Sequence, residues 1–280
     1  MFILAESGSS KTDWLVADNN TVLAKCQTRG LNPYFVDSNE IAKVFAENVL
    51  PLVDANEVKK IFFYGSGCAS DSSKEIIFNG ISKLITSEIF VEHDMMASAR
   101  ALFSEKSGIA CILGTGSNTC LYDGKNIVDG INSLGYVLGD EGSGAVIGKK
   151  WLNAYFNHEM PDFLAEKFKI CFDVQLEVVL ENVYKKPSPN QYLASFSPFI
   201  CENREEEFVQ VFLEDIFSDF FRKMVFCYPN YQDYPLGFVG SIAFAYQDVI
   251  KSLAEKSNLF IEKIVKQPAD ELLMFHQKLL

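Results

Sequence analysis

Apolar positions open this chain in three short runs, at 2–5, 14–17 and 22–26, broken by a Ser/Gly-rich stretch and by Asp18-Asn19-Asn20. Runs of this length bounded by turn formers predict three strands joined as an antiparallel meander. Ile41, Val44, Phe45 and Val49 then recur at helical spacing, which predicts a helix capped by Ser38 or Asn39. A buried strand over 60–64 ends at Gly65-Ser66-Gly67, and a helix over 72–85, a strand over 88–92 and a helix over 94–103 complete this half. The opening pattern then returns: an apolar run at 109–113, a glycine turn, a strand over 119–122, the tight Asp123-Gly124 turn and a strand over 126–129. Beyond it lies a mainly helical stretch from 145 to about 221, interrupted at 185–189. A strand over 236–239 follows, then a helix through 250, and a closing helix that begins well, with Pro268 early and acids in its first turn.

The returning pattern brings back its turn as well. Glu6-Ser7-Gly8-Ser9-Ser10-Lys11-Thr12 and Gly114-Thr115-Gly116-Ser117-Asn118 each follow an apolar strand, with Gly8 over Gly116 and Ser9 over Ser117. Glycine admits positive φ, and consecutive unpaired amides in such a turn form a concave nest for phosphate oxygens to which hydroxyls add donors. Two such turns from two similar halves imply a cleft between domains that holds a nucleotide. The chain has neither a G-x-x-x-x-G-K-[ST] loop nor a G-x-G-x-x-G turn, so the phosphates need a different architecture. Gly8, Ser9, Ser10, Lys11 and Thr12 are candidates for the terminal phosphates, and Glu6 for Mg²⁺, directly or through water.

A length of 280 residues suits two domains, 1–105 and 106–280, the second with a helical insert over about 145–221 and a last helix, 268–280, able to pack back on the first. The net charge of −12 argues against nucleic acid or an anionic membrane as a partner. With no basic start and no apolar stretch near membrane-spanning length, the expected location is the cytoplasm. The cysteines number seven, without C-x-x-C spacing, and read as reduced, buried thiols; His93, His158 and His276 lack ligand spacing and read as structural.

Asp94 sits between a strand and a helix, where a carboxylate either caps the helix or, facing a cleft, takes the proton of an attacking hydroxyl. In Gly139-Asp140-Glu141-Gly142-Ser143-Gly144 two acids stand among three glycines, a composition suited to ligand hydroxyls or hydrated metal. Asn32-Pro33 is either a turn or an amide presented to a polar ligand, and Gly237 to Ser241, with Gly240, is a strand-to-helix loop that could lie against an adenine ring.

From Glu6 to the Gly240 loop, these residues resemble the N-acetylglucosamine kinase group of the BadF/BadG/BcrA/BcrD ATPase family, within the sugar kinase, Hsp70 and actin superfamily; the run Leu138-Gly-Asp-Glu-Gly-Ser143 is the most specific match. The resemblance implies an α/β fold of two RNase H-like (actin-like ATPase) domains, each opening with a β-β-β meander. It implies ATP and Mg²⁺ as cofactors, a small-molecule sugar as substrate, and admits a homodimer. It makes Ser7 to Thr12 the first phosphate loop and Gly114, Thr115, Gly116 and Ser117 the second. Gly237, Gly240 and Ser241 become the adenosine loop, Asn32, Asp94, Asn118 and Asp140 the sugar contacts, and Asp94 the base. The expected reaction is phosphorylation of the 6-hydroxyl of an N-acetylated hexosamine, N-acetylglucosamine first. Two positions depart from the family pattern: Glu6 replaces the usual Asp, and Ser133-Leu134-Gly135-Tyr136 replaces Gly-Trp-Gly-Tyr. A sugar or nucleotide sensor without catalysis, and an ATPase that activates a partner enzyme, stand as alternatives.

Overall fold

In the computed structural model, which describes residues 1–8, 11–18 and 21–279 (the last without its side chain), strand β1 (Phe2–Ser7) lies at the centre of a five-stranded sheet. β2 (Lys11–Ala17) flanks it antiparallel and β4 (Lys60–Gly65) parallel, with β3 (Val22–Arg29) and β5 (Glu88–His93) at the edges in the order β3-β2-β1-β4-β5. Position in the sheet explains the patterning: the interior run Phe2, Ile3, Leu4, Ala5 is buried throughout, whereas edge strand β3 alternates half-buried with exposed residues. Helices α1 (Ser38–Asn48), α2 (Asp71–Ser82) and α3 (Asp94–Phe103) complete this layer, its core built on Trp14 packed against Phe45 and Phe63 at ring separations of 5.6 and 5.9 Å.

The second sheet repeats the first. β6 (Gly108–Leu113), β7 (Ser117–Tyr122) and β8 (Ile127–Gly130) form the meander, and β9 (Leu236–Val239) and β10 (Ile261–Val265) add in parallel on the other side of β6. Strand β10 is absent from the sequence reading. The expected helical stretch is six separate helices after the one-turn α4 (Gly135–Leu138): α5 (Gly144–Phe156), α6 (Asp162–Cys171), α7 (Leu176–Tyr184), α8 (Pro189–Ala194), α9 (Ser197–Glu202) and α10 (Glu207–Phe220). α10 runs on into a wide π-turn, Phe221–Val225. Trp151 anchors this core, within 5.2–6.1 Å of Phe168, Phe199, Phe208 and Phe212. Helices α11 (Ser241–Ala245), α12 (Gln247–Lys256) and α13 (Ala269–Leu279) close the chain, and none of the described helices is long and apolar enough to cross a membrane.

By its contacts the chain divides into Met1–Ser104 with Pro268–Leu280, and Glu105–Gln267. Within the first unit α13 packs on α3, fastened by a buried polar chain: Arg100 Nη1 donates to Tyr64 Oη at 2.7 Å, and that hydroxyl is 2.8 Å from His276 Nε2. The ring of His276 also stacks on Phe62 at 3.7 Å. Burial, and then the charges of Arg100 and Lys60, push this imidazole down to about 3. The folded protein therefore binds no proton here between pH 6.5 and about 3 while the unfolded chain does, so stability falls with falling pH across that window. Between pH 7 and 5 the wild type should lose about 2 kcal/mol more than His276→Gln, measured by chemical denaturation at both values. Equal losses would show that His276 does not carry this linkage.

Three local expectations need correction. Helix α1 is capped by Asp37, the last extended residue, whose Oδ1 accepts from the Asn39 and Glu40 amides at 2.9 Å; Ser38 and Asn39 lie inside the helix. Helix α3 is capped by His93, so Asp94 is its first helical residue and no cap. The cysteines are all free, as expected, but Cys171 and Cys227 are exposed.

Candidate active site

In the first unit, the turn after β1 closes by a hydrogen bond from the Gly8 amide to Lys11 O at 2.9 Å. Ser9 and Ser10 lie outside the described residues. Ser7 and Thr12 turn their hydroxyls inward: the two oxygens are 2.8 Å apart, Thr12 Oγ1 donates to Arg29 O at 3.0 Å, and Ser7 Oγ accepts from the Leu31 amide at 3.0 Å. Both side chains are buried and fully engaged, so they brace the turn and leave ligand contact to its backbone and to exposed Gly8 and Lys11. Lys11 Nζ itself is held by Asp13 Oδ2 at 2.7 Å.

Sheet register sets Asp13 directly across from Glu6. Burial raises the Glu6 carboxyl to about 7, helped by the charge of Asp13 and, less, of Asp94, with Lys11 opposing. Three acids at one end of the sheet form a site whose like-charge repulsion a divalent cation would relieve. Among the described residues no three His, Cys, Asp or Glu side chains are grouped closely enough to bind a metal directly. Asp94 Oδ1 is buried without a hydrogen-bond partner; burial raises its carboxyl, countered first by His93 and then by the Met95 and Asp94 amides.

Asn32 is buried and folded into its own turn, its Oδ1 accepting from the Tyr34 amide at 3.0 Å and its Nδ2 facing Ser66 Oγ at 3.5 Å. Its carbonyl oxygen is committed to loop structure, and its amide nitrogen is the group left to a ligand.

In the second unit three loops converge. The Gly114 amide donates to Gly116 O at 2.9 Å, while the Gly144 and Ala145 amides at the start of α5 donate to Gly114 O and Thr115 O at 2.8 and 3.1 Å. Asp140, at φ 57°, places its carboxylate against this loop: its Oδ2 lies 3.0 Å from where a side chain on Gly116 would begin, and its Oδ1 accepts from Ser133 Oγ at 3.4 Å. Burial raises the Asp140 carboxyl, with the Ser117 and Ser133 hydrogen bonds opposing. Ser117 Oγ is buried and unpartnered, a hydroxyl left for a ligand. Asn118 Oδ1 accepts from the Thr119 amide at 2.9 Å.

Beside these loops opens a cavity of about 870 Å³, lined by Gly114, Thr115, Ser241, Ile242, Arg204 and Lys266 among others. Its volume fits a nucleotide-sized ligand. Gly240 abuts the end of β6, and Ser241 starts the short helix on the cavity wall. Gly237 corrects an expectation: it is a buried interior residue of β9, paired with Ala110 and Lys263 on either side, and lines no part of the cavity.

The sequence reading missed Asp13, Arg204 and Lys266. Asp13 could be found by pairing residues across the Gly8–Lys11 turn; Arg204 and Lys266 carry no local signal, since the segments after α9 and β10 reach the cavity that Gly114 lines only in the fold.

No protein-family model and no curated protein matches the chain. Among solved structures, a candidate N-acetylglucosamine kinase from Porphyromonas gingivalis is 38% identical, with 99% of each chain covered and a TM-score of 0.93. A candidate N-acetylglucosamine kinase from Chromobacterium violaceum is similar in fold at 17% identity, 98% and 99% coverage and a TM-score of 0.72. MreB 5 of Spiroplasma citri shares the fold alone, at 10% identity, 99% and 93% coverage and a TM-score of 0.56. The twice-repeated sheet is thus the RNase H-like arrangement of actin-like proteins. By its full-length identity to the first of these structures, the chain belongs to the N-acetylglucosamine kinase-like family.

Proposed function

We propose that this protein is an ATP-dependent kinase that phosphorylates the 6-hydroxyl of an N-acetylated hexosamine, N-acetylglucosamine first, in the cytoplasm. The full-length, 38% identical match to a candidate N-acetylglucosamine kinase carries the reading. The loops supply chemistry of the right kind. Gly114, Thr115, Gly116 and Ser117 hold phosphate oxygens, Ser241 and Lys266 line the nucleotide cavity, and Gly8 and Lys11 contribute to the terminal phosphates. Asn32, Asn118 and Asp140 bind sugar hydroxyls.

Asp94 Oδ2 takes the O6 proton as O6 attacks the γ-phosphorus; the bond from that phosphorus to the bridging oxygen breaks and ADP leaves. Glu6 and Asp13 would hold Mg²⁺, directly or through water, and the ion would supply charge neutralisation for the transferring group. The residues themselves orient the hydroxyl and receive its proton.

A coupled ADP-release assay across N-acetylglucosamine, N-acetylmannosamine, glucose and N-acetylmuramic acid tests the reading. The largest kcat/KM is expected with N-acetylglucosamine, and release of ADP that is independent of every sugar would refute it.

A further inference from the structure

The residue next to the proposed base has an unusual double engagement. His93 ends β5 and caps α3, its Nδ1 accepting from the Met95 amide at 3.3 Å. The same Nδ1 lies 3.1 Å from Asp94 Oδ1. One nitrogen cannot serve both with the same electrons. With a bare Nδ1, its lone pair faces the lone pairs of a buried carboxylate oxygen that has no other partner, and a buried unsatisfied acceptor is costly. A proton on Nδ1 removes the conflict: the N–H donates to Oδ1 at a normal charge-assisted length. Protonation of Nδ1 gives up its bond from the Met95 amide, which at 3.3 Å is the longer of the two contacts.

Asp94 is about a third exposed at its side chain although Oδ1 is buried, so the open side of the carboxyl is that of Oδ2. We infer that His93 is the positioning residue of Asp94: its Nδ1–H form bonds Oδ1, locks the carboxylate rotamer, and leaves Oδ2 as the oxygen that receives the substrate proton. A neutral imidazole suffices, with its lone pair on Nε2. The inference rests on Asp94 as the base, but its two parts can fail separately.

The first test needs no turnover. In protein with ¹⁵N-labelled histidines, long-range proton–nitrogen spectra at pH 7.5 report which ring nitrogen is protonated, and His93→Asn identifies the His93 signals by their loss. Nδ1 protonated is the expected result, with a change in that nitrogen's shift in Asp94→Asn. A bare Nδ1 overturns the inference whatever the enzyme does. The second test uses ATP and N-acetylglucosamine. His93→Leu removes the donor and should lower kcat about ten- to a hundredfold with KM for the sugar within about twofold, because misplacing a catalytic group by a fraction of an ångström acts on the chemical step. His93→Asn, which retains an N–H donor and a good helix cap, should restore kcat to within about threefold of wild type. Equal kcat in wild type and His93→Leu overturns the positioning role. If wild type itself turns over no sugar, the kinase reading falls, while the spectrum still decides whether His93 bonds Asp94.

Discussion

Replacing Asp94 by Asn is expected to lower kcat by about two to four orders of magnitude with KM for the sugar changed only a few-fold. The amide matches the carboxylate in shape and can still hydrogen-bond a sugar hydroxyl, so binding persists, but it cannot accept the O6 proton. Protein stability separates this from misfolding. The Asp94 carboxyl is raised by burial, meaning that the fold tolerates its charge poorly and ionisation at neutral pH costs stability. The acid's folded value lies above its unfolded one, so the penalty is present at pH 7 and disappears as pH falls. Removing the charge should leave the melting temperature equal or higher. Steady-state ADP release together with a thermal melt checks both halves; kcat within about threefold of wild type would reassign Asp94 to a non-catalytic role.

The halves of this protein could be read from the sequence because both signals are local. Each meander is an apolar run, a small-residue turn and an apolar run, and strand pairs joined by short turns need no distant partner to form. The parallel strand β10 is different. Ile261-Glu-Lys-Ile-Val is short, carries two charges in five residues and lies at a sheet edge, and only its alignment beside β9 makes it a strand. Apart from the interruption at 185–189, the helical stretch hides its breaks for a similar reason: prolines 161 and 198 stand at or beside the starts of α6 and α9, where proline fits a helix and so does not announce a stop.

At the candidate site the glycines were informative because they mark places where backbone comes close to something. Side-chain direction was not legible. Ser7 and Thr12 have the composition of phosphate ligands, yet hydrogen-bond each other and the β3 end. Asp13 looks like an ordinary strand residue until register sets it across from Glu6. The acidic loop reads as a sugar contact, and the structure adds that Asp140 Oδ2 also lies against Gly116 of the second glycine turn. No spacing in the chain reveals this approach of Asp140 to the glycine turn.

Gly240→Ala should raise the KM for ATP at least about tenfold and lower the melting temperature by about 5 °C or more. Gly240 has φ 129° and ψ 161°, a region open almost only to glycine, and occupying it with another residue costs about 1–3 kcal/mol. Space is also lacking. A Cβ there would lie 2.1 Å from Leu113 O and 3.3 Å from the Gly114 amide nitrogen, and these are backbone atoms that cannot rotate aside. Relief requires the end of β9 to move away from the end of β6. Gly114 begins the phosphate loop and accepts from the Gly144 amide, while the Gly240 amide donates to Val265 O, next to Lys266. One displaced peptide therefore disturbs the phosphate loop, the start of α5 and the cavity lysine together. Gly114→Ala supplies the contrast for stability, since its Cβ would meet nothing within 4 Å, and its melting temperature should stay within a degree or two of wild type. If Gly240→Ala melts with wild type and binds ATP equally well, the junction of β6, β9 and β10 is not what shapes the nucleotide site.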